Sequence, residues 1–175
     1  MKGTRKTFQV LTKLLDEDTV HLAKIKRTIR NAVNNGFDIN SKYMVGKTLA
    51  HYVVKLNVQG IIPFLKKLNI NLDLCDDKYD TPLHLAVKLN RYVIAKELVK
   101  CGADVNIGGE LEQTPLHFAV IESNLQMIKL LIKNGADITL VDEENLTPLD
   151  YANDEKNETI IAYLKKEEAR KEMHL

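Results

Sequence analysis

The chain has 175 residues, enough for one compact domain or a short array of repeats. Its hydrophobic content of 45% and charged content of 28% are typical of a globular protein and exclude an intrinsically disordered one. The formal net charge is only +1. A nucleic-acid binder usually carries a clear basic surplus, so the whole-chain charge disfavours that class of partner.

The first segment, residues 1–42, is basic at its start but lacks the apolar core and small-residue cleavage site of a secretory signal. No run of about 18 apolar residues follows it, so we expect no membrane span. Ile25, Ile29 and Ala32 recur at helical spacing before Gly36, which predicts a helix. We interpret this segment as an N-terminal capping unit.

The remaining segments, 43–75, 76–108, 109–141 and 142–175, share one motif in one register. Its four versions read TLAHYVV, TPLHLAV, TPLHFAV and TPLDYAN, and each begins 33 residues after the one before. A second marker keeps this period and reads GFDIN, NINLD, GADVN and GADIT. Two independent markers on one period predict an array of stacked units.

The motif predicts the start of a helix from its own chemistry. A threonine hydroxyl can cap free amide groups, and a proline at the first helical position has no amide hydrogen to satisfy. Apolar residues at helical spacing then predict a second helix, which Gly102 or Gly135 ends because glycine adopts the left-handed conformation at little cost.

These motifs resemble those of the ankyrin-repeat family, over about residues 20–165. The resemblance implies an all-α solenoid, in which each unit contains two short antiparallel helices and an outward β-turn loop. We expect a single domain over 1–175, with 142–175 as the C-terminal capping repeat. Neighbouring units would stabilise one another, because one unit alone is too small to bury its apolar face.

Several positions depart from the family pattern. Leu49 replaces the proline of the second unit, Asn69 replaces its glycine, and Asp150 replaces the histidine of the fifth. The loop position where the family commonly has glycine holds Tyr79, Glu112 and Asn145. We expect the second and fifth units to be less regular than the others.

One histidine recurs per unit at a fixed register, and the resemblance implies that it bonds the cap threonine and the adjoining loop. A metal or catalytic site would need carboxylate or cysteine partners that converge on one spot, whereas this register supplies one histidine per layer, so we expect no metal, no cofactor and no catalytic residue. The residues that the resemblance makes structural are Thr48, His51, Thr81, Pro82, His84, Gly102, Thr114, Pro115, His117, Gly135, Thr147 and Pro148.

The resemblance also implies a protein-binding surface on the concave face, which loop tips and first helices line. This function would make the protein a non-enzymatic adaptor, inhibitor or effector that binds another protein and no small-molecule substrate. The candidate partner-binding residues are Met44, Val45, Lys47, Lys55, Asp77, Lys78, Asp80, Lys88, Leu89, Glu110, Leu111, Gln113, Ile121, Glu122, Glu143 and Glu144.

Two alternatives remain open. Asp76 and Asp77 in a predicted loop could serve a hydrolase, and the basic residues between 2 and 30 could contact nucleic acid or a membrane. The two cysteines, Cys75 and Cys101, lack metal-binding spacing and suit a reducing compartment. We therefore expect a cytoplasmic monomer, in its own cell or in the cytosol of a host.

Overall fold

A computed structural model describes residues 2–16 and 22–173, and every regular element in those ranges is helical. The predicted all-α fold of paired helices is confirmed. Two short 3-10 turns, Met44–Gly46 and Glu110–Glu112, accompany the helices. The helices are α1 (Lys2–Asp16), α2 (Leu22–Asn34), α3 (Leu49–Lys55), α4 (Ile62–Lys66), α5 (Pro82–Lys88), α6 (Tyr92–Lys100), α7 (Pro115–Ile121), α8 (Leu125–Lys133), α9 (Pro148–Asp154) and α10 (Glu158–Glu172).

The chain divides into two compact units, Met1–Ala103 and Asp104–Leu175. In the first unit α1, α3 and α5 pack in sequence, while α1 pairs with α2 and α5 with α6. In the second unit α7 packs against both α8 and α9, and α9 pairs with α10. Each unit is therefore built from helix pairs laid side by side.

Helix ends follow the capping chemistry of the motif. At the start of α5 the hydroxyl oxygen of Thr81 accepts a hydrogen bond from the amide of His84, and Pro82 is the first helical residue. At the end of α6, Gly102 has a φ of +85° and its amide bonds the carbonyl of Val99. Asn69 takes the same left-handed role with a φ of +61°, since asparagine tolerates this conformation.

The core of each unit comes from the apolar faces of both helices in a pair. Leu83 of α5 and Leu98 of α6 are fully buried in the first unit, as are Leu116 and Leu131 in the second. The alanine of the motif is also buried, including Ala119 of α7. A small residue at this register allows neighbouring helices to approach closely.

The first segment contains a helix, α1, that the sequence motifs did not predict. Phe8 of α1 is buried and stacks on Tyr43, with the ring centroids 4.7 Å apart. Tyr52 of α3 meets the same ring edge-on at 5.3 Å. An aromatic cluster therefore joins helix α1 to α3 and to the loop that precedes it.

Overpacking tests the close approach at the motif alanine. We expect Ala119→Leu to lower the free energy of unfolding by about 1–3 kcal/mol, because the larger side chain must enter a filled core between α7 and its neighbours. Urea unfolding followed by circular dichroism measures this change. Ile121→Leu, at an exposed site of the same helix, serves as the control and should change stability by less than about 0.5 kcal/mol.

Candidate functional site

Two of the motif histidines, His51 and His117, bridge a helix start to a loop. In the first unit, Nδ1 of His51 accepts a hydrogen bond from the amide of Thr48 at 3.2 Å and lies 2.9 Å from its hydroxyl oxygen. Nε2 of His51 lies 2.9 Å from the carbonyl oxygen of Asp80, in the loop before α5. Because Nδ1 accepts, the proton sits on Nε2, which donates to that carbonyl.

The same bridge recurs in the second unit. Nδ1 of His117 accepts from the amide of Thr114 at 3.1 Å, and Nε2 donates to the carbonyl of Leu146 at 3.1 Å. Burial lowers the pKa of both His51 and His117, and the carbonyl contacts only partly oppose this effect. Both imidazoles are therefore neutral near pH 7, as their dual donor and acceptor roles require.

Asp150 replaces the histidine in α9 and keeps only the capping half of its role. Its Oδ2 accepts hydrogen bonds from the amide of Thr147 at 2.8 Å and from the hydroxyl at 2.6 Å. These bonds lower the pKa of Asp150. A carboxylate has no hydrogen to donate to the loop of a following repeat. In the part of the chain that the structure describes, α10 is the last element after α9, and no further repeat loop comes after it.

Two buried loop aspartates hold their own turns. Oδ1 of Asp76 accepts from the amides of Lys78 and Asp80, while Oδ2 pairs with Lys47 Nζ at 2.9 Å. Burial alone would raise the pKa of Asp76, but these hydrogen bonds outweigh it and lower the pKa. The carboxylate is thus a structural acceptor rather than a free base.

Asp142 repeats this arrangement in the second unit. Its Oδ1 accepts from the amides of Glu144 and Leu146, and its Oδ2 accepts from the hydroxyl of Tyr151 at 2.5 Å. Burial favours a higher pKa for Asp142, yet the hydrogen bonds prevail and lower it. Burial and the contact with Asp142 raise the pKa of Tyr151 to about 12.

Neighbouring loop tips are joined in pairs. In the first unit the amide of Asp77 donates to the carbonyl of Val45 at 3.2 Å, and we call residues 43–47 with 76–80 the first tip pair. In the second unit the amide of Glu143 donates to the carbonyl of Leu111 at 3.1 Å. Residues 109–113 with 142–146 form the second tip pair.

The two tip pairs differ in chemistry. The first exposes Met44, Val45 and Tyr79, the last of which is 71% exposed. The second exposes Leu111 among the acidic residues Glu112, Glu143 and Glu144. Each pair therefore presents apolar side chains to solvent, with a surplus of negative charge around the second.

Two family models for ankyrin repeats match the chain. One, described as ankyrin repeats in three copies, covers residues 20–109, and one described as ankyrin repeats in many copies covers residues 98–152. The chain belongs to the ankyrin-repeat family. This membership confirms the resemblance inferred from the motifs. A search of the curated proteins finds no significant match.

Ankyrin repeats are generally protein-interaction modules, and the family is typically non-enzymatic. None of the described helices is long and apolar enough to cross a membrane. Within residues 2–16 and 22–173, no three His, Cys, Asp or Glu side chains come together as a metal site would require. The geometry thus directs attention to the surfaces of these ankyrin repeats.

Four exposed tip residues have a left-handed backbone that their side chains disfavour. Val45 has a φ of 56° and Leu111 a φ of 59°, and Tyr79 and Glu112 have values of 64° and 56°. A β-branched residue such as Val45 is rare in this region, where side chains clash with the backbone. Asn145, at the register of Tyr79 and Glu112, has the same backbone with a residue type that tolerates it.

Two predicted partner-binding residues are not on the surface. Asp80 is 4% exposed and pairs through both oxygens with Lys88 Nζ, at 2.7 and 2.9 Å. Gln113 is 8% exposed and donates to the hydroxyl of Tyr151 at 2.8 Å. The prediction that these side chains lie on outward tips is wrong, because the residue before each cap threonine turns inward.

The other predicted contact residues retain access to solvent. Lys47, Lys88 and Glu110 are half-buried. Sequence reasoning did not place Tyr79 in the set, although its presence at a glycine register was the available signal. The exposed members are Met44, Val45, Lys55, Asp77, Lys78, Leu89, Leu111, Ile121, Glu122, Glu143 and Glu144.

Helix α10 creates a cleft that the motifs did not indicate. The helix continues through Glu168, where the other repeats have glycine or asparagine, and Lys171 pairs with Asp137 at 3.0 Å. The cleft has a volume of about 590 Å³. It is lined by Ile132, Gly135, Ala136, Ile138, Glu167, Arg170 and Lys171.

The bridging histidines should make stability depend on pH. Because the folded pKa of His51 and His117 is lowered, the unfolded chain binds protons first as the pH falls below about 6.5, and folding weakens. We expect the free energy of unfolding to fall by up to about 1 kcal/mol per histidine between pH 7 and about 5.5.

Urea unfolding across this pH range provides the measurement. The lowered aspartate pKa values act only below about pH 4, so they do not interfere. A variant carrying His51→Asn and His117→Asn should be less stable throughout but should lose most of the slope. An unchanged slope in that variant would show that other groups cause the pH dependence.

The strained tips should respond to residues that accept a left-handed backbone. We expect Tyr79→Asn to raise the free energy of unfolding by about 1 kcal/mol, because asparagine relieves the backbone cost. The reverse change at the same register, Asn145→Tyr, should lower it by a similar amount. Thermal and urea unfolding measure both, and equal signs for the two variants would contradict the strain assignment.

Proposed function

We propose that the protein binds another protein through its two tip pairs and the adjoining ends of its first helices, and that it catalyses no reaction. In the ankyrin-repeat family these parts line the concave face. The observation that carries the proposal is the combination of exposure and strain at the tips. Val45 and Leu111 expose apolar side chains on a backbone that resists them.

Exposure alone would not support this proposal, because single apolar residues are common on protein surfaces. Backbone strain adds a cost that a glycine or asparagine would remove. Gly46 and Asn145 demonstrate that the chain uses such residues at the register of Tyr79 and Glu112. The disfavoured side chains therefore serve a purpose other than folding, and contact with a partner explains them.

The geometry of the tips suits a defined interface. A backbone hydrogen bond joins the two loops of each pair, and buried Asp76 and Asp142 fix the turns from below. Such pre-organised loops lose little conformational entropy on binding. Tyrosine and methionine, both exposed in the first tip pair, are enriched at protein interfaces.

The charge of the second tip pair indicates what it binds. Glu112, Glu143 and Glu144 are exposed beside Leu111, and none of these three acids has an ion-pair partner in the described residues. A partner segment with basic residues around an apolar anchor would complement this surface. The first tip pair, with Met44 and Tyr79, suits a more apolar partner segment.

Binding without chemistry suits an adaptor, an inhibitor or an effector. The free thiols of Cys75 and Cys101 support a reducing compartment, either the cytosol of the protein's own cell or that of a host. We take the protein to act as a monomer. The hydrolase alternative gains no support, since Asp76 is engaged by three hydrogen bonds and Asp77 stands exposed.

Substitution of the tips provides the test. A variant with Val45→Asn, Tyr79→Asn and Leu111→Asn removes the apolar side chains while relieving strain. We expect this variant to unfold at a higher temperature. It should nevertheless retain at least tenfold less of its partner, which corresponds to a loss of about 1.4 kcal/mol or more of binding free energy. Quantitative affinity capture with mass spectrometry, in an extract of the protein's own or host cells, measures this.

The control variant carries Val10→Asn and Met173→Asn, which remove exposed apolar side chains outside the tips. It should capture the partner as the unmodified protein does. Full capture by the tip variant, or equal losses in both variants, would contradict the proposal. Turnover of any substrate that is lost in Asp77→Ala would instead support the hydrolase alternative.

A further inference from the structure

The second helices of the first unit carry a concentration of positive charge. Helices α2, α4 and α6, with the residue that follows α4, contain several exposed or half-exposed cations and one acid, Glu97. We call seven of these cations the basic face. They are Lys26, Arg27, Arg30, Lys66, Lys67, Lys96 and Lys100.

Contacts between the helices make this one surface rather than three. Lys26 Nζ and Arg30 Cζ of α2 lie 5.9 and 5.2 Å from the ring centroid of Phe64, in α4. Lys66, two residues beyond Phe64, extends its Nζ toward Gly102 at the end of α6. Helices α4 and α6 also pack directly against each other. The cations therefore run across three adjacent helices.

Within the described residues, acidic side chains do not pair with these cations. None of the seven cations forms an ion pair with any residue that the structure describes, whereas Lys47 and Lys88 in the same unit are both paired. Glu97, the one acid of these helices, accepts a hydrogen bond from the amide of Gly60 at 2.7 Å through its Oε1 and pairs with none of the seven cations. The face therefore carries a local surplus of positive charge.

We propose that the basic face binds the phosphate backbone of double-helical nucleic acid. Cations spread over three helices match a linear polyanion better than a single anionic group. The small net charge of the chain does not oppose this proposal. That value is a sum over the whole chain, to which the acidic residues in 142–158 of the second unit contribute.

The side chains around the cations favour a duplex over other polyanions. No aromatic side chain of α2, α4 or α6 is fully exposed, whereas binding to single strands depends on aromatic stacking. Val93 is the one large apolar residue of these three helices that is fully exposed. A lone valine provides neither a membrane-inserting face nor the apolar anchor of a protein interface.

Salt dependence of binding to a short labelled DNA duplex tests the proposal. If all seven cations meet phosphates, fluorescence anisotropy should record a loss of affinity of about a thousandfold or more between about 50 and about 200 mM salt. A variant with Arg30→Gln, Lys66→Gln and Lys100→Gln should bind at least tenfold more weakly at the lower salt. It should also reduce the slope of log K against log salt by about 3.

The matched control has Lys133→Gln, Lys165→Gln and Lys166→Gln, which remove the same charge from exposed sites in the second unit. It should bind the duplex as the unmodified protein does. Equal weakening in both variants would overturn the proposal, as would no binding at the lower salt. Far-UV circular dichroism verifies that each variant is folded.

Competing polyanions decide the class of ligand. Phosphatidylserine vesicles and polyglutamate, at matched charge concentration, should compete poorly with the labelled duplex, and single-stranded DNA should bind more weakly. Tighter binding of any of these three would overturn the assignment to duplex nucleic acid. The tip variant described above should bind the duplex normally, so this result is independent of the proposed protein partner.

Discussion

One kind of hydrogen-bond bridge links the start of a helix to an adjacent surface loop in this protein. The imidazole of His51 or His117 accepts from the amide that starts a helix and donates to a carbonyl in the next loop. A neutral histidine can do both because its two ring nitrogens have opposite roles. One repeat cannot fold alone. A side chain that joins a helix of one repeat to the loop of the next therefore also stabilises the contact between neighbouring repeats.

The bridge explains why strained tips persist. Its acceptors, the carbonyls of Asp80 and Leu146, lie immediately before the cap threonines, so the inner end of each loop is fixed. Asp76 and Asp142 fix the outer turn through backbone amides. With both parts held, the residues between them, Tyr79 and Asn145, must accept a left-handed backbone. The cost is larger for Tyr79, which faces solvent, because asparagine tolerates this conformation.

Much of the fold was predictable because capping chemistry is local. Thr81, Pro82 and His84 lie within four residues, so one motif predicts a helix start and its bridging side chain. Helix α1 was not predicted, because an aromatic cluster around Phe8 holds it in place, and the residues of that cluster follow no fixed spacing in the sequence. The length of α10 had only a weak signal, the absence of glycine at position 168.

The candidate surfaces were less predictable because they depend on the directions of side chains and on the local sum of charges. The repeat register locates Asp80 and Gln113 in loops, but only coordinates reveal that their side chains turn inward. The net charge of the whole chain sums the cations of α2, α4 and α6 with acids elsewhere in the sequence. This sum conceals a local surplus of positive charge. Period and composition describe what all repeats share, whereas binding surfaces arise from what distinguishes them.

Folding therefore constrains few positions in each repeat and leaves two kinds of surface free. The cap threonine, the proline, the histidine, the buried alanine and the terminal glycine or asparagine meet the demands of helix ends and packing. Loop tips and the outer positions of second helices carry none of these duties. Strain at Val45 opposes folding, and the cations of the basic face form no ion pairs with the described residues. Features that folding does not require, on otherwise unconstrained surfaces, are those that binding explains best.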